Sequence, residues 1–339
     1  MAFSAPREGF SAVPMTGITV YGCAPDEAAA FRELAPRFRV RPTITGEPVS
    51  ALNAGLACGQ RCISVDHKTR VTGSLLLALR QAGVRYISTR SIGYDHIDVE
   101  HAQTLGIRVG NVAYSPDSVA DYTLMLILMA IRHAKTVFSR ATDHDYTLHE
   151  VRGRELRDMT VGVVGTGRIG AAVLERLSGF GCRLLAHDTR PKTTAHYVQL
   201  DELLRRSDIV TLHTPLTSDT FHLLDRRRIS QLKPGALIVN TGRGPLLDTA
   251  ALLAALEGGA LGGAALDVLE GEEGIFYADC RSRAESHEHL VRLQRLPNVL
   301  ISPHTAYYTD HALNDLVTNT LNNCLTFEKE SLAWTARIG

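Results

Sequence analysis

An arginine, a glutamate and a histidine each stand just after a short apolar run in the C-terminal half of the chain: Arg243 in NTGRGPLLD, Glu272 in ALDVLEGEEG and His304 in NVLISPHTAYYT. Their chemistries complement one another. A guanidinium fork matches the two oxygens of a carboxylate. An imidazole changes charge near neutral pH and so can give or take a proton. A carboxylate beside it orients the ring and favours its charged form. Singly, each residue has a plainer reading. The chain has fourteen histidines, most of which must be structural or solvated. Arg243 lies between glycines and suits a loop or phosphate anchor. Glu272 is flanked by Glu270 and Glu273 and fits a solvated acidic turn.

A second constellation supplies what the first would need. The apolar run Val161–Val164 leads into GTGRIG, Gly165 to Gly170, and then into the helical pattern AAVLERLSGFG. In a dinucleotide fold Gly165 permits the tight turn, Gly167 lets the backbone approach a pyrophosphate, and Gly170 lets helix and strand pack closely. The helix N-terminus then presents unpaired N–H groups to the phosphates. Asp188, in LLAHDTRP, lies 18 residues beyond Gly170, where an acidic residue can accept from ribose hydroxyls and repel a 2′-phosphate. It favours NAD, although Arg190 and Lys192 beside it leave NADP open. A nicotinamide carrier, a carboxylate clamp and a proton donor together meet the needs of hydride transfer to a 2-oxo acid.

The elements that must position these residues are strands and helices in alternation. Strand candidates are Ile18–Tyr21, Cys62–Val65, Tyr86–Thr89 and Ile107–Gly110, then Val161–Val164, Arg183–His187, Ile209–His213, Leu237–Asn240, Ala264–Asp267 and Val299–Ser302. Short apolar runs separated by helical patterns point to an α/β protein with doubly wound parallel sheets. In such sheets ligands bind beyond the carboxyl ends of the strands, where Arg243, Glu272 and His304 all fall. Ser118–Lys135 reads as one long helix. It is apolar on nearly every side, so something must cover it all round. The tail from Thr305 reads as a further helix, and Met1–Gly17 as a loose tail.

Composition narrows the class. With 36 basic and 36 acidic residues, no net field draws in nucleic acid. The six cysteines are scattered without a CxxC pair, which argues against a metal site or a disulfide framework and fits a cytoplasmic protein. The N-terminus lacks the apolar core of a signal peptide, and the longest apolar run, Leu124 to Ile131, is too short to span a membrane.

GTGRIG, NTGRGPLLD, GGAALDVLEGEEG and PNVLISPHTAYYT together resemble the signatures of the D-isomer-specific 2-hydroxyacid dehydrogenase family, over about Ile18 to Glu328. The resemblance implies two Rossmann-like domains: a cofactor domain, 113–305, inserted into a substrate domain made of 1–112 and 306–339. It implies that Arg243 clamps the substrate carboxylate, that His304 gives the new alkoxide its proton, and that Glu272 pairs with His304. It places Arg168 and Ile169 at the pyrophosphate turn. Thr214, Pro215, Thr241 and Asp267, together with His304, line the cofactor. TRSIGYDHID resembles the loop whose backbone N–H groups, at Ile92 and Gly93, bind the substrate carboxylate. NVAYSP resembles one in which a tyrosine, here Tyr114, closes over substrate. A homodimer is also implied, with the helix around Leu124–Ile131 in its interface. The long stretch after Glu272, EGIFYADC, is most similar to pyruvate-reducing members linked to vancomycin-type glycopeptide resistance, with Tyr307 and Tyr308 bounding the side-chain pocket. Other readings are a D-3-phosphoglycerate or branched D-hydroxy acid dehydrogenase, and a non-catalytic dinucleotide-sensing corepressor.

Overall fold

A computed structural model of the protein describes residues 15–148, 152–282 and 287–335, with side chains to residue 330. The chain divides into two compact units, Met1–Tyr114 with Leu313–Gly339, and Ser115–Ala312.

The first unit is built on a parallel sheet of β1 (Thr16–Val20), β2 (Val40–Ile44), β3 (Cys62–Val65), β4 (Tyr86–Thr89) and β5 (Arg108–Asn111), in the order β2-β1-β3-β4-β5. Its helices are α1 (Pro25–Leu34), α2 (Gly73–Gln81) and α3 (Val99–Thr104). Apolar clusters cover both faces, one around Ile63, Leu76 and Ile87, the other around Ile18, Phe31 and the helical residues Val317, Leu321 and Phe327. Strand β2 escaped the sequence reading because, after a buried Val40, VRPTI alternates exposed and half-buried residues and contains Pro42. Among the described residues it pairs only with β1, and a sheet edge tolerates a proline that cannot donate. Of the expected loose tail, residues 1–14 lie outside the described residues, whereas Thr16 and Gly17 begin β1.

The second unit opens with α4 (Asp117–Ile131) and α5 (Ala134–Thr142). Its parallel sheet comprises β6 (Thr160–Val164), β7 (Arg183–His187), β8 (Ile209–Leu212), β9 (Ala236–Asn240), β10 (Leu261–Leu266) and β11 (Val299–Ile301). The order is β11-β10-β9-β8-β6-β7. Helices α6 (Arg168–Ser178), α7 (Leu200–Arg206), α8 (Arg226–Ile229), α9 (Thr249–Glu257) and α10 (Glu288–Arg295) fill the connections. Strands β6, β8 and β9 are buried at every residue. A parallel sheet covered on both faces reads as a continuous apolar run for this reason. Both sheets therefore have the doubly wound parallel form expected.

Two helix expectations change. Ser118–Lys135 is not one helix: His133 takes a left-handed backbone, φ +52°, and α4 ends before it. Within its unit α4 buries one face through Val119, Ala120, Leu126, Ile127 and Ile131, while Met125 stays 40% exposed. Its first turn is tied to α6 by Arg176, which bridges Asp117 at 2.8 Å and also meets Asp121. The C-terminal helix α11 (Asp310–Thr335) starts after a turn at Thr305–Tyr308, not at Thr305. No helix among the described residues is long and apolar enough to cross a membrane.

Candidate active site

The glycine turn after β6 is shaped by backbone packing. Gly165 has φ +89°, and a Cβ there would lie 2.7 Å from the His213 carbonyl carbon. A Cβ on Gly170 would lie 1.9 Å from the Gly165 oxygen. Gly167 differs: a Cβ would meet nothing within 4 Å, so its missing side chain leaves open space at the start of α6. That helix has no side-chain cap and no acidic residue in its first turn. Its orphan N–H groups and partial positive charge therefore face that space with no acidic residue in the helix's own first turn to answer them. Arg168 is exposed and Ile169 half-buried on the same turn.

Asp188 stands one residue beyond β7, and its Oδ2 accepts from the Thr166 N–H at 2.6 Å and the Thr166 hydroxyl at 3.1 Å. Its Oδ1 accepts from the Arg190 N–H at 2.7 Å. Burial pushes its carboxyl up, but these hydrogen bonds outweigh it and hold the group below the usual carboxylate range. Thr214 follows β8 with its Oγ1 buried and without a partner among the described residues, as is the Nδ1 of His213. Burial pushes His213 down to about 3, so it stays neutral. Pro215 is exposed, and the Thr241 hydroxyl pairs with Thr123 of α4 at 2.8 Å. The open glycine turn, the uncapped helix end, the ionised Asp188 and the unpartnered Thr214 hydroxyl fit a nicotinamide dinucleotide.

Beyond β9, β10 and β11 the three chemically complementary residues are positioned by backbone contacts. Asn240, the last residue of β9, donates from its amide to the Arg243 carbonyl at 2.8 Å. The Arg243 Nη1 donates to the Gly242 carbonyl at 2.9 Å. Gly244 lets this loop lie on the one after β10, since a Cβ there would sit 2.1 Å from the Leu269 carbonyl carbon. Leu269 in turn donates its N–H to Glu272 Oε2 at 2.7 Å. The other oxygen, Oε1, accepts from His304 Nδ1 at 2.6 Å. Glu272 and His304 are thus joined directly, and Arg243 is held one loop contact away. The pair is mostly buried, with side-chain exposures of 19% and 14%, so water screens it little.

His304 itself is left-handed, φ +55°. For a residue with a Cβ this costs about 1–2 kcal/mol, so the surroundings must over-determine it. They do. The His304 N–H donates to the Asp267 carbonyl at 2.7 Å. The Asp267 carboxylate gathers the rest of the loop, accepting from the Ser302 hydroxyl at 2.6 Å and from the Thr305 and Ala306 N–H groups at 2.9 Å each. The Tyr277 hydroxyl donates to the His304 carbonyl at 2.6 Å. Tyr277 was not among the sequence candidates, although it lies in the quoted EGIFYADC, because nothing local ties a loop tyrosine to a peptide 27 residues further on.

Ile92, Gly93 and Tyr114 belong to the first unit. The Ile92 carbonyl accepts from the Asn111 amide at 2.7 Å, and the Gly93 carbonyl from the Ser91 hydroxyl at 2.6 Å. These bonds engage the carbonyls of that turn. Tyr114 is half-buried.

Comparison with known proteins now adds to the geometry. The NAD-binding domain of the D-isomer specific 2-hydroxyacid dehydrogenases matches residues 124–306. The chain is 58% identical over 313 residues to a D-specific alpha-keto acid dehydrogenase of Enterococcus faecalis, covering 92% of this chain and 97% of that one. It is 35% identical to an aromatic 2-oxoacid reductase of Clostridium sporogenes, over 95% of this chain and 99% of that protein. Among solved structures, D-lactate dehydrogenase from Aquifex aeolicus, complexed with NAD and lactic acid, aligns with TM-score 0.84 and 32% identity over 93% of this chain and 96% of that one.

Proposed function

The chain belongs to the D-isomer-specific 2-hydroxyacid dehydrogenase family, and from that premise we propose that it reduces pyruvate to D-lactate with NADH. The observation that carries this reading is the His304–Glu272 pair, 2.6 Å apart in the same unit as the open glycine turn. NADH, when bound, supplies a hydride to the carbonyl carbon. Arg243 holds the substrate carboxylate in its fork and draws charge from the carbonyl oxygen. With Nδ1 bonded to Glu272, the imidazolium gives its Nε2 proton to that oxygen. Hydride and proton together turn the ketone into the hydroxyl, and His304 is left neutral. Glu272 stabilises the charged imidazolium before the transfer. It also selects the tautomer that takes the proton back in the oxidative direction.

We assign Ile92, Gly93 and Tyr114 to substrate binding, and divide the chain into a substrate domain of 1–112 and 306–339 and a cofactor domain of 113–305. Asp188, Thr214, Pro215, Thr241 and Asp267 serve NAD, with the glycine turn and its Arg168 and Ile169. The Tyr307 ring, edge-on to His304 at 6.4 Å, supports a small substrate side chain. The likeness to a D-specific alpha-keto acid dehydrogenase supports a role in making D-lactate for a glycopeptide-resistant cell-wall precursor. Met125, Val137 and Phe138, exposed by 40%, 51% and 67%, support a homodimer through α4 and α5. The six cysteines are unpaired, which supports a cytoplasmic setting.

The test is a panel of pyruvate, 2-oxobutyrate, phenylpyruvate, a branched 2-oxo acid and 3-phosphohydroxypyruvate, each with NADH and with NADPH. Pyruvate and 2-oxobutyrate should lead and lie within about a hundredfold of each other, because one methylene discriminates weakly. Preference for phenylpyruvate, the branched acid or the phosphorylated acid would move the assignment to another member of the family. Oxidation of NADH by none of them would favour the corepressor. The mass of the same preparation in solution tests the dimer.

A further inference from the structure

Glu272 begins a helical turn. Its carbonyl accepts from the Ile275 N–H at 3.1 Å and from the Phe276 N–H at 3.0 Å. Tyr277 follows at once, with a left-handed backbone of φ +66°. One turn therefore carries two side chains that reach the same residue: Glu272 takes the His304 imidazole, and Tyr277 takes the His304 carbonyl at 2.6 Å. The His304 N–H is held separately by the Asp267 carbonyl at 2.7 Å. The Tyr277 phenol remains a donor. The residue is 39% exposed, but partial burial pushes its ionisation up, and Tyr307, which also hydrogen-bonds it, and the nearby Glu272 and Asp267 carboxylates push it further. Its ring lies 6.0 Å from the imidazole. Two left-handed, Cβ-bearing residues thus face each other across a hydrogen bond. A left-handed backbone that is not held would relax and swing the imidazole away from Glu272.

We propose that Tyr277 is a positioning residue for the reaction: its hydroxyl grips the His304 carbonyl and fixes the backbone turn that aims the imidazole at Glu272 and at substrate. The inference rests on His304 being the proton donor. It differs from the role of Glu272, which acts on the ring itself, since Tyr277 acts on the peptide behind it.

The experiment is Tyr277→Phe, which keeps the ring and removes the hydroxyl with its bonds to the His304 carbonyl and to Tyr307. With pyruvate, kcat should fall about tenfold while KM and the NADH dissociation constant stay within about twofold, because aim is lost and binding is not. Proton NMR of the enzyme without substrate supplies a readout independent of turnover. The short Glu272–His304 bond should give a far-downfield imidazole N–H resonance, and that resonance should move upfield or broaden in the variant. An unchanged kcat with the resonance in place overturns the proposal. A parallel loss in kcat, KM and Tm also overturns it, because it assigns Tyr277 a general structural role. A wild-type enzyme inactive on every 2-oxo acid, yet showing a downfield resonance that the variant loses, overturns the activity and leaves the positioning role standing.

Discussion

The two sheets share a winding, and the turns that follow their first strands have opposite fates. Counted within each unit, the strand order is 2-1-3-4-5, with a sixth strand added in the second unit. The order of strand addition reverses beside β1 in one and beside β6 in the other, and a helix follows each. In the second unit that helix, α6, starts uncapped at Gly167, with no acid in its first turn. In the first unit α1 carries Asp26 and Glu27 in its first turn, and Glu27 Oε2 accepts from the Ala24 N–H at 3.1 Å. Behind it Arg90, 2% exposed, pairs with Glu27 at 3.2 Å and donates to the Tyr21 and Gly22 carbonyls at 2.9 and 3.0 Å. One topology thus makes one helix start left open at Gly167, with Asp188 engaged on the Thr166 N–H before it, and one helix start filled by its own first-turn carboxylate. Topology creates the crevice, and a few side chains decide whether a ligand or the chain itself occupies it.

The largest effect expected is on the chemistry housed with the open turn. His304→Ala should lower kcat for pyruvate about a thousandfold, within the range for a lost general acid, and leave NADH affinity near that of the native protein. Turnover kinetics and an NADH fluorescence titration check both, and near-normal turnover would remove His304 from its role. A direct attempt to make the second turn like the first is Gly167→Asp. The new side chain has room, since a Cβ meets nothing within 4 Å. Its charge should weaken NADH binding about a hundredfold, the order for like charges a few ångströms apart near a surface. An unchanged dissociation constant would mean that the pyrophosphate does not lie on that turn, and the comparison would fail.

The smallest effect tests the filled turn. Asp66, buried beside Arg90 in the first unit, has its carboxyl pushed up by burial, with Arg90 only partly offsetting this. A carboxyl whose folded value is raised holds its proton more tightly in the folded chain. Its contribution to stability is therefore fullest below its unfolded value, ~3.9, and falls as pH rises from there through the folded value. Asp66→Asn should raise the urea midpoint at pH 7 and lose that advantage as pH drops towards 4. A variant less stable than the native protein at pH 7 would show that Arg90 draws more from the charge than burial costs.

Much of this was legible in the chain. GTGRIG between an apolar run and a helical pattern located the β6–α6 turn to the residue, because that geometry admits only glycine at Gly165 and Gly170. Strands buried on both faces announced themselves as apolar runs. Strand β2 did not, since an edge needs neither apolarity nor every N–H. Nor did the break at His133, because an apolar helix pattern does not record where a backbone turns left-handed. In the site, the types of Arg243, Glu272 and His304 and their places after strands pointed to one chemistry.

The amino-acid order by itself determined the winding, the glycine turn and the set of reactive side chains, because periodicity and steric freedom are local properties of a chain. The family resemblance already paired Glu272 with His304; only the tertiary structure decided the geometry of that contact, that Tyr277 holds the peptide behind it, and that Glu27 and Arg90 fill the first unit's turn. Hydrogen bonds between residues 27, 32 and 63 positions apart exist only once the loops have been folded against each other.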